Sequence, residues 1–189
     1  VIKVFAIIAV VIVVAVATVL VLAATKPDTF EVQRAMSIKA PPEKIFALVN
    51  DLRGWGAWSP YERKDPAMKR SFSGAQFGKG AVYAWDGDKN VGQGRMEITE
   101  TSAPTKIVIK LDFVRPFEGH NIAEFTMAPE GPSTTGSANT ANAATNVTWA
   151  MRGPAPFVAK IMHVFLDMDR MIGKDFEEGL SNLKALAER

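Results

Sequence analysis

Between Pro154 and Arg189 the apolar residues Val158, Ile161, Phe165, Met168, Ile172, Phe176, Leu180, Leu183 and Ala187 recur in steps of three and four. That spacing keeps one stripe of an α-helix facing the same way, while Arg170, Lys174, Asp175, Glu178 and Lys184 supply a solvated side. Pro156 fits the first turn, where its missing N–H would have had no partner in any case. The pattern predicts one helix of roughly 30 residues and about 45 Å. A rod of that length crosses the whole of a domain of about 130 residues, so the chain upstream must wrap it. Gly173 and Gly179 interrupt the pattern at roughly 1 kcal/mol each relative to alanine, which predicts that another backbone approaches the helix closely there.

The 189 residues supply one globular domain and an appendage. The appendage is the segment 1–25, in which Val4 to Ala24 is apolar except for Thr18. About 20 such residues match the hydrocarbon thickness of a bilayer. A cleaved secretory signal is the competing reading, because Ala15 and Ala17 form an A-x-A step. A signal's apolar region usually runs only about 7 to 15 residues, whereas this one continues past the step through Val19 to Leu22, which favours an uncleaved single-pass anchor. Residues 26–29, including Pro27, then form a tether that keeps a domain of residues 30–189 near the bilayer. Lys26, Arg34 and Lys39 against Lys3 favour a cytoplasmic domain by the positive-inside rule. A short N-terminal tail favours translocation of the downstream domain, and the balance places that domain on the outer face. The chain has no cysteine, which removes disulfides, thiolate catalysis and Cys-based metal sites. A net charge of +2, with no basic cluster interleaved with aromatics, argues against nucleic acid as a partner.

After the tether, Phe30 to Ile38 alternates as a first strand and Pro41 and Pro42 end it. Glu43 to Asn50 reads as a short helix, and Asp51 to Trp58 as a second one broken at Gly54 and Gly56. Strands are expected near Lys69–Ser73, Gly80–Trp85, Val91–Glu100, Lys106–Phe113, Gly119–Met127 and Asn146–Arg152. The clearest is Lys106–Phe113, with Ile107, Ile109, Leu111 and Phe113 on one face and Lys106, Lys110 and Asp112 on the other. Turn signals at Gly87–Asn90 and Ser102–Pro104 make successive hairpins, hence an antiparallel meander. The fold class is α+β: about seven strands in one curved sheet, two short helices after the first strand, and one long terminal helix against the concave face.

This order of elements, with Ala40-Pro-Pro-Glu-Lys-Ile-Phe46, Trp55-Gly-Ala-Trp-Ser-Pro60 and Met171-Ile-Gly-Lys-Asp-Phe-Glu-Glu-Gly-Leu-Ser-Asn-Leu-Lys184, resembles the SRPBCC superfamily of START-related and pollen-allergen-like proteins. More narrowly it resembles the bacterial polyketide cyclase/dehydrase-like branch, some members of which carry an N-terminal anchor. The resemblance covers Phe30 to the end. It implies a helix-grip fold with a hydrophobic tunnel between sheet and helix, a bacterial-type cell membrane as location, and either binding of lipids, sterols and hormones or cyclisation and dehydration chemistry.

Strand alternation places Met96, Ile98, Ile109, Leu111, Phe113, Asn121, Phe125, Trp149 and Met151 on the concave face, and the helix stripe adds Ile161, Phe165, Met168 and Ile172. These thirteen are the candidate ligand-binding residues, for an apolar small molecule or lipid. The same residue types also describe a filled core, and methionine and aromatic stripes are core more often than ligand boxes. By the parity of a meander, the turns at 87–90, 115–118 and 152–156 share one end, and those at 74–78, 102–104 and 128–145 the other. The low-complexity, polar stretch from Pro129 to Asn142 predicts a mobile loop without chemistry.

Chemistry has few candidates. Neither His120 nor His163 has a second ligand at helical spacing, so no metal site is expected, and no nucleophile elbow, phosphate loop or dinucleotide fingerprint implies a cofactor. Tyr83, Asp86 and Glu97 are the candidate catalytic residues, since a buried carboxylate beside a phenol would serve general acid/base chemistry. Each also fits an outward position on the sheet. Three functions remain open: a membrane-tethered binder of an apolar molecule, an acid/base enzyme on a hydrophobic substrate, and a protein scaffold with a vestigial cavity. An inner face without convergent titratable groups argues against the enzyme, and a cavity below about 300 Å³ favours the scaffold.

Overall fold

In the computed structural model, which describes residues 2–130 and 144–189, the alternating segments become β1 (Thr29–Ile38), β2 (Lys69–Gly74), β3 (Ala81–Asp86), β4 (Gln93–Ser102), β5 (Lys106–Arg115), β6 (Gly119–Glu130) and β7 (Ala144–Pro154). All pair antiparallel in one sheet, in the order β1-β7-β6-β5-β4-β3-β2. Strands β2 to β7 form the expected meander. β1 lies beyond β7, at the edge opposite β2, so the segment between β1 and β2 must travel the width of the sheet. That segment is α2 (Pro42–Asn50), a 3-10 turn (Leu52–Ala57) and α3 (Tyr61–Lys64). Pro42 sits in the first turn of α2, where the missing donor costs nothing. Register shifts at Gln93/Gly94 and Ile98/Glu100 bend β4, and bulges of this kind sharpen the twist that curls a sheet around its cover.

The terminal segment departs from the continuous helix its spacing predicts. It is two helices, α4 (Phe157–Phe165) and α5 (Met168–Ala187), separated by Leu166 in extended conformation. Asp167 caps α5, its carboxylate accepting the Arg170 N–H at 2.9 Å. An aspartate at that position satisfies an orphan donor of a new first turn, which starts a helix rather than continuing one. The stripe divides at this break: Ile172, Phe176, Leu180, Leu183 and Ala187 are buried against the sheet, while Val158 and Phe165 face outward. Burying each of the larger α5 side chains contributes on the order of 1.5–3 kcal/mol.

Both α5 glycines mark close approaches, made by side chains rather than by backbone. A Cβ on Gly179 would lie 2.7 Å from Cζ3 of Trp149, and one on Gly173 would lie 2.0 Å from Nη2 of Arg34. Arg34 projects from β1 over α5 and is held by Glu177 at 2.8 Å and Asp169 at 3.0 Å. Thr145, fully buried, donates from its hydroxyl to the Ala40 carbonyl at 2.7 Å and ties β7 to the turn after β1. The segment anticipated as a mobile loop falls mainly on 131–143, outside the described residues.

The apolar segment forms α1 (Ile2–Ala24), a helix long and apolar enough to cross a membrane. Its side chains are exposed almost throughout, and Ala23 is buried. Asp28 accepts the Ala155 N–H at 2.7 Å, and Thr29 stands opposite Pro154 in the sheet. α1 therefore leaves the domain at the end that also carries the β3–β4 and β5–β6 turns and the start of α4.

Candidate functional site: the inner face of the sheet

The register divides the inner face into rows. In the half away from α1, Trp149 of β7 stands beside Phe125 of β6, which stands beside Ile107 of β5. Trp149 stacks on Phe176 of α5 at 4.1 Å and 10°, and on Phe125 at 4.9 Å and 28°. Trp55 and Trp58 from the 3-10 turn close the cluster edge-on, each 6.0 Å from Phe125. The distal half of the space between sheet and helix is thus occupied by rings. One row nearer α1 run Val32, Met151, Ala123, Ile109 and Ile98, all buried.

The two rows at the α1 end are different. Asn121, Leu111, Met96, Tyr83 and Phe72 stand side by side from β6 to β2, with Phe30 and Gly153 continuing the row on β1 and β7. The last row is Gly119, Phe113, Gly94 and Trp85. Here Phe30, Leu111, Phe113 and Trp85 are only half-buried, as is Met168 at the start of α5. The glycines give room for neighbouring side chains to lie flat: a Cβ on Gly94 would meet Trp85 at 2.4 Å, and one on Gly153 would meet Oδ1 of Asn121 at 1.9 Å. Asn121 is the one buried polar side chain in these rows besides the phenol of Tyr83.

The thirteen expected lining residues divide accordingly. Met96, Ile98, Ile109, Asn121, Phe125, Trp149, Met151 and Ile172 are buried between the layers, and Leu111, Phe113 and Met168 line the half-open end. Ile161 is half-buried on α4. Phe165 is 69% exposed, because the break at Leu166 turns the α4 stripe out of the interlayer space. Two shallow concavities, of about 340 and 260 Å³, lie along α1 and touch neither the sheet nor α5. The gap expected to stay open between sheet and helix is closed by rings over its distal half.

The three catalytic candidates are not brought together. Tyr83 points inward, but its hydroxyl donates to Oε1 of Glu62 on α3, whose other oxygen is held by Nε of Arg70 at 2.6 Å. Burial first, and then this hydrogen bond, push the Tyr83 phenol well above the usual tyrosine range. Burial, followed by the neighbouring Asp175 carboxylate, does the same to Tyr61. A carboxylate with both oxygens engaged and a phenol held protonated make a structural clamp rather than a base. Asp86 is exposed and paired with Arg115, and Glu97 faces out between buried Met96 and Ile98, bonded to Arg95 at 2.7 Å. His120 lies on the outer face, its Nδ1 2.7 Å from Asp112. Among the described residues no group of three His, Asp or Glu is placed to share a metal ion.

The meeting of Glu62 with Arg70 and Tyr83 had no signal in the sequence: Arg70 lies on the expected strand β2, but Glu62 sits on α3, whose placement depends on how the connection from β1 crosses the sheet. The inward position of Arg34 had one, the glycine at 173 that makes room for it.

A model of the polyketide cyclase / dehydrase and lipid transport family matches residues 29–188. Ginseng major latex-like protein 151 from Panax ginseng superposes with a TM-score of 0.54 at 12% identity, covering 86% of this chain and 100% of that one. The Aha1 dimer from Colwellia psychrerythraea gives 0.54 at 14% identity, covering 84% and 96%. A protein from Chromobacterium violaceum gives 0.53 at 16% identity, covering 86% and 99%. At these identities the likeness is one of fold. No curated protein matches the chain.

Proposed function

The chain belongs to the polyketide cyclase / dehydrase and lipid transport family, and from that premise we propose that it binds a hydrophobic small molecule or lipid while anchored in a membrane by residues 1–25. The observation that carries this reading is the half-open apolar end of the inner face. Phe30, Leu111, Phe113 and Trp85 are left partly uncovered there, at the end from which α1 departs. Apolar surface of that kind in a concave setting is where an apolar guest gains most from leaving water. Asn121 provides a single polar handle, able to donate to or accept from one oxygen of an otherwise greasy molecule. Acid/base catalysis has less support, because the one inward-facing titratable group of the three candidates is committed to Glu62.

The ring-filled distal half favours a second reading, a scaffold that carries no cargo. Native mass spectrometry of the full chain, extracted with its host lipids, separates the two. Binding predicts an adduct of a few hundred daltons that is lost in Leu111→Trp, a substitution that fills the half-open end. An unliganded mass for the unaltered chain would refute binding and leave the scaffold.

A further inference from the structure

Helix α4 is turned inside out. Phe157, Val158, Ile161 and Phe165 share one side of it by helical spacing, and this side faces away from the domain: Phe157 is 47%, Val158 64% and Phe165 69% exposed. Its opposite side holds Lys160 and His163. Lys160 is buried, its ammonium bonded to Asp28, and the His163 ring meets Phe30 edge-on at 6.3 Å. A surface helix in water does the reverse, burying its apolar stripe and exposing its charges.

Three further observations say what covers the stripe. First, α4 packs against α1, a helix whose own apolar side chains are exposed almost throughout, so the exposed stripe of α4 lies beside a second apolar surface. Secondly, only residues 25–28 separate α1 from β1, and β1 begins opposite the strand that leads into α4, which fixes α4 at the depth where α1 ends. Thirdly, the β5–β6 turn at the same end of the sheet also presents exposed apolar residues, Val114 and Phe117.

We propose that α4 and the tip of the β5–β6 turn dock into the interfacial region of the lipid bilayer, so that the half-open end of the inner face rests on the membrane. The proposal rests on α1 being a membrane anchor. A helix with an apolar face and few charges on that side lies in the plane of the headgroup boundary. Because the domain is already tethered, the docking contact acts at a high effective concentration and needs no large affinity of its own. A guest could then pass between bilayer and inner face without crossing bulk water.

The chain has no cysteine, so a single substitution creates a unique labelling site. Full-length Val158→Cys, Phe165→Cys and Phe117→Cys, with Val11→Cys in α1 and Ser102→Cys at the far end of the sheet, are labelled with nitrobenzoxadiazole. Each is reconstituted in vesicles of phosphatidylcholine and phosphatidylglycerol and quenched either by doxyl-labelled lipid or by aqueous iodide. The expected result is several-fold stronger lipid quenching at 117, 158 and 165 than at 102, close to that at 11. If 11 is quenched by lipid while 117, 158 and 165 behave like 102, the anchor stands and the docking is wrong. If 11 is also beyond reach of the lipid quencher, the membrane reading falls and takes the docking with it. Labels at 158 and 165 shielded from both quenchers would mean a protein covers the stripe, such as a second copy of the chain, and would overturn the proposal.

Discussion

Replacing Gly179 with alanine sets two known effects against each other. In an unobstructed helix the change gains roughly 1 kcal/mol. Here the new Cβ would sit 2.7 Å from Trp149 Cζ3 and 3.1 Å from Cδ of Pro60. Carbon contacts settle near 3.5–4.0 Å, so about 1 Å of movement is required. Trp149 has little freedom to give it, stacked between Phe176 at 4.1 Å and Phe125 at 4.9 Å, with Trp58 at 5.7 Å. Overpacking of a pinned core costs about 1–3 kcal/mol, and a ring held on both sides belongs at the upper end. The net expectation is a loss of about 2 kcal/mol, or roughly 4–8 °C in Tm for a domain of this size. Gly173→Ala is the internal control. Its Cβ meets only the end of the Arg34 side chain, which can swing away from Asp169 and Glu177. Ion pairs of that exposure are worth about 0–1 kcal/mol, so the loss roughly cancels the gain in helix propensity. Urea unfolding of the full chain in detergent, followed by tryptophan fluorescence, measures both. Gly179→Ala as stable as the unaltered protein, with Gly173→Ala the more damaged of the two, would refute the idea that α5 is pressed against Trp149.

The chain has only two tyrosines, and both phenols are held above their ordinary range. A raised folded-state value means the stabilisation is complete below the unfolded value near 10 and is lost as the pH climbs above it. Absorbance at 295 nm should therefore show no tyrosinate at pH 10 to 11 until the protein unfolds, and titration of either phenol with the fold intact would contradict the burial described. Asp28→Asn should lower Tm more than Lys160→Met, because the first strands a buried ammonium whereas the second leaves only an exposed carboxylate; thermal melts giving the reverse order would show that the pair is not what seats α4. Thr145→Val should cost about 1–3 kcal/mol by leaving the Ala40 carbonyl unpaired, and Thr145→Ser should restore most of it, as read by urea denaturation.

Period-2 alternation was enough to place every strand of the sheet and the inward side of most of them. Met96 and Ile98, Ile107 and Ile109, and Phe125 and Met127 are buried as alternation requires, since a one-residue slip would have turned all of them to solvent. The connection from β1 to β2 was legible only as two short helices. Its path beneath the sheet, which brings Glu62 to Tyr83 and Trp58 to Phe125, depends on β1 pairing with β7, a contact more than a hundred residues apart in sequence. Asp86 and Glu97, by contrast, are turned to the outer surface by alternation itself, since Trp85, Met96 and Ile98 take the inward positions beside them, and the partner that Tyr83 finds is Glu62 from the connection.

The break at Leu166 shows why spacing alone misplaces a site. Counting in threes and fours cannot tell one helix from two whose stripes happen to stay in phase, because Phe165 and Met168 are three apart whether or not the backbone is helical between them. Two signals for the division were nonetheless present. Asp167 offers a cap followed by an acidic first-turn residue, Asp169, which is how helices begin. Lys160 and His163 lie opposite the apolar side of α4, whereas in α5 the charged residues fall on the side that water reaches. Judged by which side carries the charge rather than by period, α4 already has its greasy face pointed away from the sheet. A helix so arranged is at rest only where its outer side also leaves water, and the helix it packs against, α1, is itself apolar and exposed along almost all of its length.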